Sequence, residues 1–99
     1  MESNDHEEEL TWADVCEGGS LVKRLGRSIS TGLILIECKL DEKGREIEKN
    51  FFDDDGQLHK RIVYEHDEER QPRLTTGFDK SGKLIWQQER GKRPKTFPQ

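Results

Sequence analysis

The amino-acid sequence predicts a mainly β fold, an antiparallel β-meander of about five to six strands with one short N-terminal helix. The first observation is a phrase of hydrophobe, Asp, two polar residues, Gly and a later hydrophobe, which recurs as LDEKGREI (40–47), FDDDGQL (52–58) and FDKSGKL (78–84). The second is its spacing, because the glycines are 12 and 26 residues apart and 26 is nearly twice 12. A degenerate copy with a longer turn is therefore expected in YEHDEERQPRL (64–74).

The D-x-x-G core of the phrase predicts hairpin turns. An Asp at the first position of a type I turn accepts hydrogen bonds from following backbone N–H groups, and the Gly adopts the left-handed conformation. The turn residues predicted in this way are Asp41 and Gly44, Asp53 and Gly56, and Asp79 and Gly82. In the middle copy this register places Phe52 opposite Leu58. In the last copy it pairs Phe78 with Leu84 and Thr76 with Trp86.

The predicted strands have one apolar and one charged side. Their apolar residues are Leu74, Phe78, Leu84 and Trp86, extended by Ile62 and Tyr64 in phase with Leu58. Phe51 points to the charged side in this register. Residues 45–52 fit poorly, because Glu46, Glu48 and Asn50 would turn inward. Either a bulge between Ile47 and Phe51 corrects this, or the apolar face is only half covered there.

The N-terminal part contains the predicted helix. In LTWADVCEGG (10–19), Thr11 is a candidate N-cap and Gly18 a stop signal, which predicts a helix from Trp12 to Glu17. Such a helix could cover LILIECKL (33–40), which carries hydrophobes on both faces near its start. SLVKRLG (20–26) is ambiguous between a strand and a helical turn, and its Leu-Val pair between glycines favours a strand.

Composition and charge predict how the chain divides into a folded domain and charged ends. At 99 residues the chain forms one small domain, with 29% hydrophobic and 38% charged residues. Residues 1–18 hold seven acids and no Lys or Arg, so the formal charge of −4 divides into −7 there and +3 elsewhere. We predict an acidic disordered arm (1–9), a β-rich domain (10–88) and a basic flexible tail (89–99). The start resembles no signal peptide and no apolar run is long enough to span a membrane, which predicts a cytoplasmic protein.

The sequence predicts no catalytic residues, metal site or cofactor. As a calcium loop, DDDG fails because Phe51 and Ile62 occupy the first and last ligand positions. The two cysteines have no C-x-x-C spacing and no serine lies in a G-x-S-x-G elbow. A small open meander also offers little concavity, so the chain is not expected to be an enzyme.

Binding is the function that remains. We predict a small protein-interaction module that contacts a macromolecular partner through a sheet face or edge. The candidate contact residues are Phe51, His59, Arg61, Arg90, Lys92, Arg93 and Lys95. The alternative is a nucleic-acid-associated protein that uses the basic residues within 23–27 and 90–95. Exposed strand edges also allow a homodimer.

The phrases FFDDDGQLHKRIVYE and GFDKSGKLIWQQERGKRP resemble the hairpin units of MORN-like and YD/RHS-type repeat proteins, including YwqK-type antitoxin-like proteins. The similarity covers residues 39–93. It implies a β-hairpin surface for macromolecular contacts, used in some relatives to neutralise a toxin, and it brings no catalytic residues.

Overall fold

The computed structural model describes residues 9–97, which form one eight-stranded antiparallel sheet. Its strands are β1 (Leu10–Glu17), β2 (Ser20–Ser28), β3 (Ile34–Leu40), β4 (Glu46–Phe52), β5 (Leu58–Glu65), β6 (Leu74–Asp79), β7 (Leu84–Glu89) and β8 (Lys95–Thr96). Each strand pairs with the next one along the chain. The mainly β class and the antiparallel meander are thus confirmed, with eight strands where five to six were predicted.

The predicted N-terminal helix was wrong, because residues 12–17 belong to β1. Gly18 and Gly19 both have positive φ, 60° and 83°, and form a two-residue turn that joins β1 to β2. Positive φ at both central residues is typical of the type I′ turns of tight hairpins. A six-residue helix would leave most of its backbone groups unpaired, whereas the ladder with β2 pairs half of them at once. The strand favoured for residues 20–26 is present as β2.

The three D-x-x-G segments form turns with the same hydrogen bonds. In the middle turn the Asp53 N–H donates to the Gln57 carbonyl at 2.9 Å, and the Gly56 N–H donates to the Asp53 carbonyl at 3.0 Å. The Asp53 carboxylate accepts from the N–H groups of Asp55 and Gln57, both at 3.0 Å. Gly56 has a φ of 80°. The turns at Asp41 and Asp79 repeat this arrangement.

Single-residue bulges decide which side chains share a face. Phe52 lies opposite Leu58 and Phe78 opposite Leu84, as the turn register predicts. Next to each pair the register shifts, which leaves His59 and Ile85 without a directly opposed residue. An extra residue inverts the alternation of the strand that follows it.

Three predicted side-chain placements were therefore wrong, those of Ile62, Tyr64 and Trp86. Ile62 lies opposite Lys49 and shares a face with Phe51, not with Leu58. Trp86 lies opposite Gly77, not Thr76, and so faces away from Phe78. A bulge does occur in β4, at Ile47, but it leaves Glu48 and Asn50 on the side of Phe52.

The sheet has two distinct faces. We call one the aromatic face, which consists of Trp12, Ile36, Cys38, Phe51, Ile62, Tyr64 and Trp86. We call the other the ionic face, which consists of Lys23, Glu37, Lys39, Glu48, Asn50 and Arg61, flanked by Leu25, Phe52, Leu58, Val63 and Phe78.

The sheet is a single layer. Within residues 9–97 no strand contacts any strand other than its sheet neighbours. Cys38, 2% exposed, is the one buried hydrophobic side chain of this range. The accessible surface is 7333 Å², whereas a compact protein of this mass exposes about 5,800 Å². Within residues 9–97, both faces of the sheet thus lack the second layer that usually completes a domain core.

The predicted division into arm, domain and tail stays a prediction. Residues 1–8 and 98–99 lie outside the described residues. Within the segment predicted as a tail, the Lys92 N–H donates to the Glu89 carbonyl at 3.0 Å, and Lys95 and Thr96 form β8.

Candidate functional site

Two glycines position the tryptophans of the aromatic face. A methyl group on Gly26 would lie 3.0–3.2 Å from Cη2, Cζ3 and Cζ2 of Trp12. Such similar distances to three neighbouring ring atoms require the six-membered ring to lie flat over the Gly26 backbone. A methyl group on Gly77 would likewise overlap with the pyrrole ring of Trp86. Glycine within a strand therefore gives each indole room to lie against the sheet.

Phe51 and His59, two of the predicted contact residues, line the same depression on the aromatic face. The Lys60 ammonium lies 4.8 Å from the centroid of the Phe51 ring, within the range of a cation–π contact. The depression has a volume of about 480 Å³ and is open to solvent. It is lined by Leu10, Leu35, Ile36, Phe51, Phe52, His59 and Lys60. The structure thus places Phe51 and His59 together on a shallow apolar surface.

The centre of the aromatic face holds a small titratable cluster. Burial, with the nearby Glu46 carboxylate, raises the pKa of the Cys38 thiol. Burial likewise raises the pKa of Tyr64. Lys49 lies 3.4 Å from Glu46, and although burial alone would lower the pKa of Lys49, the neighbouring acidic groups raise it. A neutral thiol and a cationic amine are poor nucleophiles at neutral pH, so this cluster fits a structural role.

Arg61 lies on the other side of the sheet, in the network of the ionic face. Asn50, 3% exposed, is its centre. The Asn50 amide donates to Glu37 at 3.1 Å and to Glu48 at 2.9 Å, and its oxygen accepts from Arg61 at 2.8 Å. Burial would raise the pKa of Glu48, but the Asn50 hydrogen bond and the Lys39 and Arg61 charges outweigh it and lower that pKa. Every polar atom of Asn50 is satisfied, which favours a fixed arrangement.

The remaining predicted contact residues lie in the turn after β7 and on β8. Arg90 forms a bidentate pair with Asp67, at 3.0 and 2.8 Å, and so joins two turns of the protein. Lys92 lies 3.7 Å from Glu89. Arg93 and Lys95 are exposed and have no ion-pair partner within residues 9–97. The predicted contact residues are therefore spread over both faces and one edge.

The basic residues of β2 are engaged within the sheet. Lys23 lies 3.2 Å from Glu37, and Arg24 lies 3.1 Å from Asp14. The Arg27 guanidinium donates to the Gly32 carbonyl at 2.8 Å. The nucleic-acid alternative stays a prediction, and these contacts supply acidic and carbonyl groups that compete with a phosphate for the same cations.

The most exposed large hydrophobic residues were not among the predicted contacts. They are Trp12 (44% exposed), Ile29 (60%) and Leu33 (39%), and all three lie in the first third of the described chain. Because a helix is predicted from Trp12 to Glu17, the sequence does not indicate that Trp12 lies on a face of the sheet. Gly26 was the available signal, because a glycine inside a strand often marks a close approach by another group.

Two kinds of site are absent from the part of the chain that the structure describes. No three His, Cys, Asp or Glu side chains of residues 9–97 come together as metal ligands. No helix in this range is long and apolar enough to cross a membrane.

The comparisons with known proteins add a likeness in fold. No protein-family model matches the chain, and no curated protein matches it. Among solved structures it is similar to the "Crystal structure of GtfA/B complex bound to UDP and GlcNAc", with 17% identity and a TM-score of 0.55. The match covers 91% of this chain and 23% of that one. At this identity the likeness shows the fold alone, and the chain spans about a quarter of the length of the protein it matches.

Proposed function

We propose that this chain is a protein-interaction module whose aromatic face is covered by the surface of a protein partner. The observation that carries the proposal is the single layer: within residues 9–97 no element covers the aromatic face. Apart from the buried Cys38, its apolar side chains remain half-buried or exposed, and Trp12 is 44% exposed. Covering such a face removes apolar surface from water, which is the main favourable term in protein association.

The dimensions of the sheet suit a protein partner. The two longer extents of the chain are 40 and 37 Å, whereas a standard interface buries about 800 Å² on each side. One face is therefore large enough for a complete interface. The depressions on it are shallow, whereas pockets for small molecules enclose most of the ligand. Tryptophan, tyrosine and phenylalanine are also enriched at interfaces, and tryptophan and tyrosine are among the side chains that contribute most to binding.

The charges of the aromatic face indicate the chemistry of the partner. Arg24 is paired with Asp14, and Lys49 is paired with Glu46. Lys60, which lies over Phe51, has no carboxylate partner within residues 9–97. We therefore propose an apolar partner surface with a carboxylate placed to meet Lys60.

The immunity-like or antitoxin-like role implied by the repeat resemblance is a finer form of the proposal, in which the partner is a toxin. We also propose a cytoplasmic location, because Cys16 is a free, exposed thiol, which suits a reducing compartment.

Phe51 and Phe52 provide a matched pair of variants for the test. They are neighbours in β4, both half-buried, and they point to opposite faces. Quantitative affinity capture from cells that naturally make the protein, at physiological salt, should recover one protein in a fixed ratio. Phe51→Glu should lose that protein and Phe52→Glu should keep it, with circular dichroism showing that both variants are folded.

Equal recovery by both folded variants would contradict the aromatic face as the interface. Recovery of no protein in a fixed ratio would contradict the proposed function itself. If the partner is a toxin, the native chain and Phe52→Glu should suppress its activity, whereas Phe51→Glu should not.

A further inference from the structure

Among the residues that the structure describes, the outer edge of β1 has unpaired backbone groups. The Ile29 N–H donates to the Glu9 carbonyl at 3.0 Å, which makes Glu9 and Ile29 a hydrogen-bonded pair. Hydrogen-bonded and non-hydrogen-bonded pairs alternate along an antiparallel ladder. Leu10, Trp12 and Asp14 therefore turn their N–H and C=O groups away from β2. Within residues 9–97 no strand lies on that side of β1.

The two edges of the sheet differ in how they are protected. The β8 edge has only two residues, follows Pro94 and carries Lys95, and short strands, proline and lysine all discourage edge pairing. β1 has eight residues, and residues 9–17 contain no Pro, Lys or Arg. The register shift between Val15 and Cys16 places the extra residue, Val22, on β2. β1 thus keeps a regular outer edge that another strand can extend.

The charges of β1 define what kind of strand it can accept. Glu9 and Glu17 mark its two ends on the ionic-face side, and within residues 9–97 neither has an ion-pair partner. They lie eight positions apart along the extended chain, about 27 Å. The intervening Thr11, Ala13 and Val15 are uncharged. Two copies of β1 would bring acids together, and residues 1–18 carry a formal charge of −7, so self-pairing is disfavoured.

We propose that β1 binds an extended basic segment of a protein partner by strand addition. The segment continues the sheet, places Lys or Arg opposite Glu9 and Glu17, and places a small or apolar residue against the exposed indole of Trp12. Backbone hydrogen bonds to Leu10, Trp12 and Asp14 provide the pairing, and the charges select the segment. The site is an edge, and it shares only Trp12 with the aromatic face.

A synthetic peptide of about nine residues, with Lys at both ends and alternating Val and Thr between them, is the probe. Titrated into the full chain at low salt, it should bind and slow the amide hydrogen exchange of Leu10, Trp12 and Asp14. Glu9→Lys combined with Glu17→Lys should weaken binding by about tenfold, because both attractions become repulsions. The matched variant, Glu42→Lys with Glu68→Lys, makes the same change in net charge at exposed turn residues and should bind as the native chain does.

A second peptide separates strand addition from charge attraction. It keeps both Lys residues but has Pro at two central positions, and proline cannot take part in a strand ladder. This peptide should not bind measurably. Four outcomes would overturn the proposal. The first peptide fails to bind, the two peptides bind equally, or the two charge variants weaken binding equally. The fourth outcome is binding that leaves the β1 amides unprotected. Phe51→Glu should leave peptide binding unchanged, which separates this result from that of the aromatic-face test.

Discussion

The pyrrole ring of Trp86 lies flat against Gly77 on the neighbouring strand, so closely that a methyl group on Gly77 would overlap with it. Glycine in a strand usually weakens the strand, because it costs backbone entropy and has no side chain to pack. Gly77 is nevertheless suited to this strand, because a residue without a side chain leaves room for the indole of Trp86. Trp12 and Gly26 repeat the arrangement on the same face, near the opposite edge of the sheet.

We expect Gly77→Ala to destabilise the protein by about 1–3 kcal/mol, the usual range for overpacking. Without the overlap, alanine in place of glycine would stabilise by restricting the unfolded chain. In a Trp86→Ala background the same change should therefore be neutral or stabilising. Urea denaturation of the four proteins of this double-mutant cycle measures the difference.

Gly26→Ala is the comparison within the same chain. Trp12 lies on an edge strand and is 44% exposed, so its ring can shift at a smaller cost. We expect a smaller loss of stability than at Gly77. A loss at Gly26 that equals or exceeds the loss at Gly77 would contradict this account of the two contacts.

The turn at Gly56 provides a separate test of backbone conformation. A Cβ on Gly56 would meet no atom within 4 Å, so a substitution there acts through its φ of 80° alone. Asn tolerates the left-handed conformation and β-branched residues do not. Gly56→Val should therefore destabilise by about 1–2 kcal/mol, and Gly56→Asn by clearly less. Equal losses in thermal denaturation would show that the turn does not require this conformation.

The buried amide of Asn50 should be costly to remove. Asn50→Ala leaves Glu37, Glu48 and Arg61 without hydrogen-bond partners that they have in the native chain. We expect a loss of about 2 kcal/mol in the free energy of unfolding. Asn50→Asp should cost more at neutral pH, since it adds a third carboxylate, and the added cost should shrink as the pH falls.

Thr76→Val is the matched control for Asn50. Thr76 is 8% exposed, and its hydroxyl oxygen accepts a single side-chain bond, from Gln87 at 3.2 Å. Valine has nearly the same shape, so the loss should be about 1 kcal/mol or less. An Asn50→Ala loss no larger than this would mean that the ionic network contributes little beyond its individual contacts.

The pair between Asp67 and Arg90 should make stability depend on acid pH. The hydrogen bonds from Arg90, together with the Glu69 N–H, hold the pKa of Asp67 well below its usual range. The stabilisation is fully present above the unfolded-state pKa, about 3.9, and is lost as the pH falls towards the folded-state pKa.

The Asp67→Asn variant lacks this titration. Between about pH 6 and about pH 3 its free energy of unfolding should therefore fall less than that of the native chain. Glu68→Gln changes an exposed neighbouring carboxyl with no hydrogen-bond partner in residues 9–97 and should follow the native pH profile. A steeper fall for Asp67→Asn than for the native chain would contradict the assignment.

The parts of the fold that depend on local chemistry could be predicted from the sequence. The D-x-x-G spacing determines the backbone of each turn, and each turn determines the pair that closes it, so Phe52 was placed opposite Leu58. The single extra residues at His59 and Ile85 could not be predicted, because one unpaired residue leaves the composition of a strand unchanged. Each reverses the faces of the residues beyond it, which is why Ile62, Tyr64 and Trp86 were assigned to the wrong side.

The candidate site was harder to predict than the fold. Residues 12–17 have helix signals at both ends, and only the pairing with β2 makes them a strand. Phe51 was identified as the aromatic that leaves the predicted core, but the structure places it on the aromatic face. Which side of a single-layer sheet is richer in aromatics depends on all of its bulges together, and this information is not local.

The strand order also shapes how the protein folds. Since every strand pairs only with its neighbours in sequence, the strand pairings are local along the chain, and local pairings favour fast folding. The sheet resembles a linear array in which each hairpin stabilises the next, as in repeat proteins. Folding can start at any of the D-x-x-G turns and spread outward. Evolution could add or remove a hairpin at either end and leave the geometry of the remaining strands unchanged.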